Sequence, residues 1–171
     1  MHAFKFGPPL LCSVLFGCLA MAPDSRAATV APTAAAVDRC QPALPSYDGN
    51  IRKRPKAVQN EGTETAFVTC GFSGDNFSAN DQGIYYAGVL LVNNTASPLQ
   101  VTCTLVPGRH ATVVGGYLPK TTTIDPGDPN GGLGWHYPDY DNGRFGVTAA
   151  VSCALPPGAG ISEVLSYFTT D

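Results

Sequence analysis

One short pattern recurs in the sequence, and it constrains the fold more than any other feature. Residues 101–108 read VTCTLVPG and residues 151–158 read VSCALPPG, so the two segments align without a gap. A looser copy, VTCGFSG, occupies residues 68–74. In each copy a Val, a Cys and a Leu or Phe stand at alternate positions, which places them on one face of an extended strand. Three strands that each direct a cysteine into one core predict a disulfide-stabilised β-domain.

The longest alternation surrounds the last copy, and we take it as the strand around which the fold is organised. Residues 145–158 read FGVTAAVSCALPPG. The larger side chains stand at the odd-numbered positions and the smaller ones at the even-numbered positions between them. A half-buried strand requires this period of two.

Turn-forming residues separate the apolar runs along the chain. The 171 residues accommodate one domain with a hydrophobic core, and the 19 glycines and 15 prolines fall between apolar stretches. No stretch after the N-terminal segment keeps a helical period for three turns. We therefore predict an all-β fold, a two-sheet antiparallel sandwich or jelly roll of eight or nine strands. The clearest predicted strands are 66–72, 84–92, 99–106, 110–118, 121–124, 133–137, 145–158 and 161–169, the second and third forming an antiparallel hairpin.

The N-terminal segment is typical of an export signal. Residues 10–22 are continuously apolar, which is the length of a signal peptide and short for a membrane span. Ser25-Arg26-Ala27 supplies small residues at the two positions that a signal peptidase reads. We expect a signal peptide over 1–27, a flexible leader over 28–39 and a single β-sandwich domain over 40–171.

Two locations are compatible with this segment. Cleavage after Ala27 would release a secreted or periplasmic protein with no transmembrane segment in the mature chain. The alternative is a lipoprotein anchored at Cys18, because LFGC at 15–18 resembles a bacterial lipobox. Both alternatives place the domain in an oxidising compartment.

Four cysteines remain after the signal peptide, and their number predicts two disulfide bonds. We favour Cys40–Cys70 and Cys103–Cys153 among the three possible pairings, because the last two cysteines lie in matching strands. A four-cysteine zinc site is the alternative, but the sequence has no paired C-x-x-C spacing.

Charge gives little indication of a partner. The formal net charge of −3 does not favour nucleic acid. Residues 52–56 (RKRPK) are basic, which suits either a heparin-like contact or a solvated loop, and we favour the loop. Asn76 and Asn93 begin glycosylation sequons, whose use depends on the host.

The sequence contains no recognisable catalytic motif. His110 and His136 are the histidines of the mature chain, and GFSG at 71–74 is one residue short of a nucleophile elbow. Residues 125–132 (DPGDPNGG) lack the alternating ligands of a calcium loop, so we predict a turn there. We expect no catalytic residue, no metal and no cofactor, with a small secreted hydrolase as the third hypothesis for the function.

An aromatic segment is the candidate ligand-binding site. Trp135 and Tyr137 would share a strand face, and exposed rings of this kind form a platform for sugars. The alternative, which we favour, is that Trp135 is the core tryptophan of a sandwich. The possible ligand-binding residues are Trp135, Tyr137, Asp139, Tyr140 and Asp141.

The segments FVTCGFSGD, VTCTLVPG, IDPGDPNGGLGWHY and VSCALPPG together resemble small exported bacterial β-proteins with cysteine-centred strands. That resemblance covers residues 40–171 and implies a fold but no assigned activity. The sequence therefore predicts a non-catalytic binding or structural β-sandwich whose partner is unknown, with a glycan or another cell-surface component as the candidate. The alternative is a carbohydrate-binding module that uses the segment 135–141.

Overall fold

A computed structural model describes residues 28–74, 83–108, 111, 116–140 and 144–170. The predictions that concern the signal peptide, Cys18, Asn76, His110 and Asp141 lie outside these residues. No helix within them is long and apolar enough to cross a membrane.

The described residues form twelve β-strands, one helical turn and two 3-10 turns. The 3-10 turns cover Pro45–Tyr47 and Tyr137–Tyr140. The helical turn α1 covers Ala36–Arg39. The strands are β1 (Ala28–Val30), β2 (Thr33–Ala35), β3 (Cys40–Pro42), β4 (Ile51–Arg54), β5 (Ala57–Asn60), β6 (Ala66–Ser73), β7 (Tyr86–Asn93), β8 (Leu99–Pro107), β9 (Leu118–Ile124), β10 (Gly132–His136), β11 (Thr148–Leu155) and β12 (Ala159–Thr170).

The strands pair into two antiparallel sheets, which confirms the predicted sandwich. The five-stranded sheet has the order β3-β6-β11-β8-β9, and the seven-stranded sheet has the order β10-β7-β12-β5-β4. Strand β12 pairs with β7 along one edge. It also pairs with β5 near its N-terminal end, with β2 in its middle and with β1 near its C-terminal end. The strand count is higher than predicted because several of these strands have only three or four residues.

The five-stranded sheet follows the alternation read from the sequence. Strand β11 lies at its centre and buries every second side chain, from Ala149 to Leu155. Its neighbours β6 and β8 turn their own valines and cysteines to the same side. At about 25 cal/mol per Å² of buried apolar surface, this shared inner face is a main source of the domain's stability.

Both disulfides lie within this sheet and join directly opposed residues, as predicted. Cys40 is the register partner of Cys70, and Cys103 is the register partner of Cys153. The structure bonds both pairs, with Cα atoms 4.0 Å apart in each. The four cysteines are almost fully buried. Each bond therefore joins two neighbouring strands on the core side of one sheet.

The predicted hairpin of β7 and β8 is wrong, because these strands belong to different sheets. The turn between them was correctly located, but the chain uses it to cross from one layer to the other. Asn93 fixes the crossing: its Nδ2 donates to the carbonyl oxygens of Ser97 at 2.8 Å and Ile124 at 2.9 Å. Asn93 is 6% exposed, so in the folded domain its amide is buried at the crossing.

The chain also crosses from one sheet to the other after β5, and Asn60 stabilises this crossing. Its Nδ2 donates to the carbonyl oxygens of Glu64 and Leu155, each at 2.7 Å. Leu155 ends β11 in the other sheet, so this buried amide also ties the two layers together. A buried amide is stabilising only when its donors and acceptor are satisfied, which is the case at both asparagines.

Two segments that were predicted to be irregular are ordered on the seven-stranded sheet. Residues 28–39, expected to be a flexible leader, contain β1 and β2, which pair with β12, and Ala36 is fully buried. Residues 52–56, expected to be a loop, lie in the β4–β5 hairpin. Both segments are short and contain few large apolar residues. Their regular structure therefore comes from pairing with β12 and β5, and not from a hydrophobic periodicity of their own.

Candidate functional site

The structure places Trp135 in the core, as favoured from the sequence. Its side chain is 0% exposed, and its indole Nε1 donates to the carbonyl oxygen of Leu118 at 2.8 Å. Leu118 lies on β9, the edge strand of the five-stranded sheet, whereas Trp135 lies on β10, the edge of the other. Trp135 therefore closes one side of the sandwich and is not available as a sugar-stacking surface.

The residues that follow His136 in the predicted segment do not continue strand β10. Strand β10 ends at His136 and Tyr137 begins a 3-10 turn, so Tyr137 does not share a strand face with Trp135. The exposed Asp139 forms an ion pair with Lys120, with Oδ2 and Nζ 3.4 Å apart. The Tyr140 ring packs edge-on against Phe145, with centroids 5.8 Å apart. Burial, and secondarily the charge of Asp139, raises the pKa of the Tyr140 phenol.

Five aromatic side chains instead meet at the outer face of the seven-stranded sheet, near one end of β7. His136, Tyr86 and Tyr167 are direct register partners on β10, β7 and β12. Tyr85 precedes β7, and Tyr137 follows β10. The ring pairs in contact have centroids 4.8 to 6.4 Å apart. The aromatic cluster, as we call it, comprises Tyr85, Tyr86, His136, Tyr137 and Tyr167.

Two glycines determine how the Tyr86 ring lies. A Cβ atom at Gly134 would stand 2.5 Å from the Tyr86 hydroxyl oxygen, and one at Gly88 would stand 2.9 Å from it. The two ring edges meet different glycines, Cε1 at Gly88 and Cε2 at Gly134, and these glycines are opposed on β7 and β10. The ring therefore lies along the sheet surface over a floor without side chains. Any larger residue at either position would displace it.

Tyr167 stacks against Tyr86. The ring centroids are 4.8 Å apart and the planes differ by 28°, which is an offset-stacked pair. Both rings are half-buried. Burial raises the pKa of the Tyr86 phenol, and the neighbouring Tyr167 adds to this rise. The Tyr86 phenol therefore stays neutral at ordinary pH and acts as a hydrogen-bonding group on a partly buried surface.

A groove of about 230 Å³ continues from the Tyr86 ring along the sheet. Leu90 and Leu165 form its apolar sides, Gly132 and Gly134 lie beneath, and Asn130 stands at its edge. Stacked rings beside a groove that combines leucine side chains with exposed polar groups, among them the Asn130 amide, are typical of a small-ligand site.

Two cations border the cluster. The Arg144 guanidinium lies over the Tyr137 ring, 4.8 Å from its centroid. Lys120 Nζ donates to the Gly134 carbonyl oxygen at 2.8 Å and so covers the free edge of β10. These contacts hold β10 and the turn after it in place, which positions His136 and Tyr137 against the other rings.

The arrangement suits stacking and hydrogen bonding. Within the described part of the chain, no group of three or more His, Cys, Asp or Glu side chains is placed to hold a metal ion. Of the predicted ligand-binding residues, only Tyr137 belongs to the aromatic cluster. Sequence reasoning missed the other four members, Tyr85, Tyr86, His136 and Tyr167. The available signal was the alternate glycines of GGLGW, which leave one face of β10 without side chains until His136.

Comparisons with known proteins give distant similarities in architecture. No protein-family model matches the chain, and no curated protein does. An exo-β-1,3-galactanase from Phanerochaete chrysosporium, solved with galactose, aligns over 81% of this chain and 29% of its own, with 11% identity and a TM-score of 0.44. A GH26-CBM35 β-(1,4)-mannanase from Podospora anserina aligns over 82% of this chain and 28% of its own, with 11% identity and a TM-score of 0.44.

A third similar structure is TmCBM61 in complex with β-1,4-galactotriose. It aligns over 82% of this chain and 87% of its own, with 8% identity and a TM-score of 0.37. This chain spans less than a third of the length of the galactanase and the mannanase. At these similarities no functional residue is transferred to it.

Proposed function

We propose that the protein is an exported, non-catalytic carbohydrate-binding module that binds a glycan over the aromatic cluster. This keeps the sugar-platform hypothesis but moves the platform from the segment 135–141 to the outer face of the seven-stranded sheet. Export is part of the proposal, and the two buried disulfides favour it because such bonds persist in oxidising compartments.

The orientation of Tyr86 carries the proposal. A pyranose ring has an apolar C–H face and a rim of hydroxyl groups, so it binds best where an aromatic face adjoins hydrogen-bonding groups. The Tyr86–Tyr167 pair supplies aromatic surface along the sheet. Its phenols, the exposed His136 and the Asn130 amide supply polar groups around it.

The glycines beside Tyr86 favour a ligand site over a purely structural cluster. Glycine weakens a strand because it loses more conformational entropy and packs no side chain. Gly88 and Gly134 nevertheless oppose each other in adjacent strands. Two opposed glycines add little to the stability of a sheet surface. The flat orientation of the Tyr86 ring, with open surface beside it, requires both of them. The opposed glycines therefore support a binding site whose shape depends on the flat Tyr86 ring.

Titration calorimetry with short oligosaccharides tests this function. The probes are β-1,4-galactotriose, mannotriose and cellotriose, added to the wild-type protein. We expect one of them to bind, and Tyr86→Ala or Tyr167→Ala to weaken that binding by about tenfold or more, as loss of one aromatic contact implies. Tyr86→Phe should retain most of the affinity, because it keeps the ring.

Phe67→Ala is the matched control, since Phe67 is an aromatic residue that is 43% exposed on the five-stranded sheet. It should bind like the wild type. A wild-type protein that binds none of the sugars on a broad glycan array, or a Tyr86→Ala variant with unchanged affinity, would contradict the proposal and favour a structural role.

A further inference from the structure

The groove beside Tyr86 is one part of a longer depression along β7. A second cavity, of about 600 Å³, is lined by Val92, Ser162, Glu163 and Lys56 among others. A third, of about 450 Å³, shares Val92 and Lys56 with the second. The first and second adjoin because Glu163, which lines the second, is the register partner of Leu90, which lines the first.

Glycines on the neighbouring strands produce this depression. A Cβ atom at Gly132 would lie 3.2 Å from Leu90 Cδ2, and one at Gly160 would lie 3.0 Å from Val92 Cγ2. Leu90 and Val92 thus lie over glycines of β10 and β12, as Tyr86 lies over Gly134. The outward side chains of β7 therefore lie close to the sheet and form the floor of the depression.

Further chain segments line this depression on both sides. Pro129 and Asn130 border it on the β10 side. Strand β2 and Pro55 of the β4–β5 turn border it on the opposite side. From Tyr86 to Val92 the floor covers six residue steps, a span of about 20 Å at the rise of a β-strand. Several sugar rings in a row fit this length.

The polar groups at the far end are balanced in charge. Lys56 and Glu163 line the same cavity, and neither forms an ion pair or a side-chain hydrogen bond with any described residue. Arg54 lines the third cavity, but Glu61 neutralises it through two hydrogen bonds of 2.7 Å. A cavity lined by one cation and one anion has no net charge to attract a uronate, so it favours neutral hydroxyl groups as ligands.

We propose that this groove binds a linear, neutral polysaccharide chain lengthwise along β7. One sugar stacks on the Tyr86–Tyr167 pair, and the hydroxyl groups of sugars farther along bond with Lys56 and Glu163. This inference rests on the proposed function and adds to it the length, direction and charge of the ligand.

A chain-length series tests the inference. The probes are galacto-, manno- and cello-oligosaccharides from disaccharide to hexasaccharide, with calorimetry as the measurement. Affinity should rise beyond the trisaccharide and then level off. Lys56→Ala removes one hydrogen bond, and Glu163→Gln removes the charge that strengthens another, so each should weaken hexasaccharide binding about fivefold and leave trisaccharide binding unchanged.

Glu64→Gln is the control for Glu163→Gln, because Glu64 is exposed on the turn after β5 and lines none of these cavities. It should leave the affinity for every length unchanged. If the trisaccharide binds as tightly as the hexasaccharide while Tyr86→Ala still removes binding, this inference is wrong and the proposed function stands. If no length binds, both are wrong.

Discussion

The two sheets of the sandwich differ in what holds them together and in what they present outward. The five-stranded sheet carries both disulfides, and the outward positions of its strands β6, β11 and β8 hold no charged residue. The seven-stranded sheet carries the aromatic cluster and the groove on its outer face. Covalent cross-linking and the candidate binding surface therefore lie on opposite layers.

This separation shows how a small domain can keep a candidate ligand surface that is rich in glycine. Gly88, Gly132, Gly134 and Gly160 all lie in strands of the seven-stranded sheet, where they weaken the strands but shape the groove. Disulfides in the opposite layer restrict the unfolded chain and so offset that cost without entering the site.

The largest expected effect comes from the residue that joins the two layers at their edge. Trp135→Ala should destabilise the domain by about 3–5 kcal/mol, because it leaves a large void in the core. Denaturant unfolding followed by circular dichroism measures this. Trp135→Phe is the control, since it keeps a ring and loses the hydrogen bond to Leu118. A Trp135→Ala variant as stable as the wild type would contradict the core position.

Removing the disulfides tests the difference between the sheets. Replacing Cys103 and Cys153 by Ala opens a loop of 50 residues and should cost about 4 kcal/mol; replacing Cys40 and Cys70 opens one of 30 residues and should cost about 3.5 kcal/mol. Thermal melting compares the two variants. Below the melting transition, both should bind sugar like the wild type. A folded variant that has lost binding would show that the two layers are not independent.

Local periodicity was sufficient to predict one layer. The pairing of Cys103 with Cys153 follows from two matching strands, because a period of two fixes which face each residue takes. The core position of Trp135 was favoured for a related reason, since a single large aromatic residue is most stabilising when it is buried. These inferences need only residues that are close in sequence or equivalent in pattern.

The other layer could not be predicted in the same way. Whether β7 pairs with β8 or crosses to the other sheet depends on the bonds from Asn93 to Ile124, 31 residues away. The aromatic cluster combines side chains from β7, β10 and β12, which no local pattern brings together. The outward side chains of β7, Tyr86, Leu90 and Val92, are only partly buried and form the floor of the groove, which the apolar run in the sequence does not indicate.

The most direct test of the account is to locate the bound sugar. Backbone amide shifts of the isotope-labelled protein, recorded during titration with the best-binding oligosaccharide, identify the contact surface residue by residue. The account predicts shift changes concentrated at Tyr86, Gly88, Gly134, His136 and Tyr167 on the seven-stranded sheet, with the amides of β6 and β8 unaffected. Changes concentrated on the five-stranded sheet instead would contradict the account.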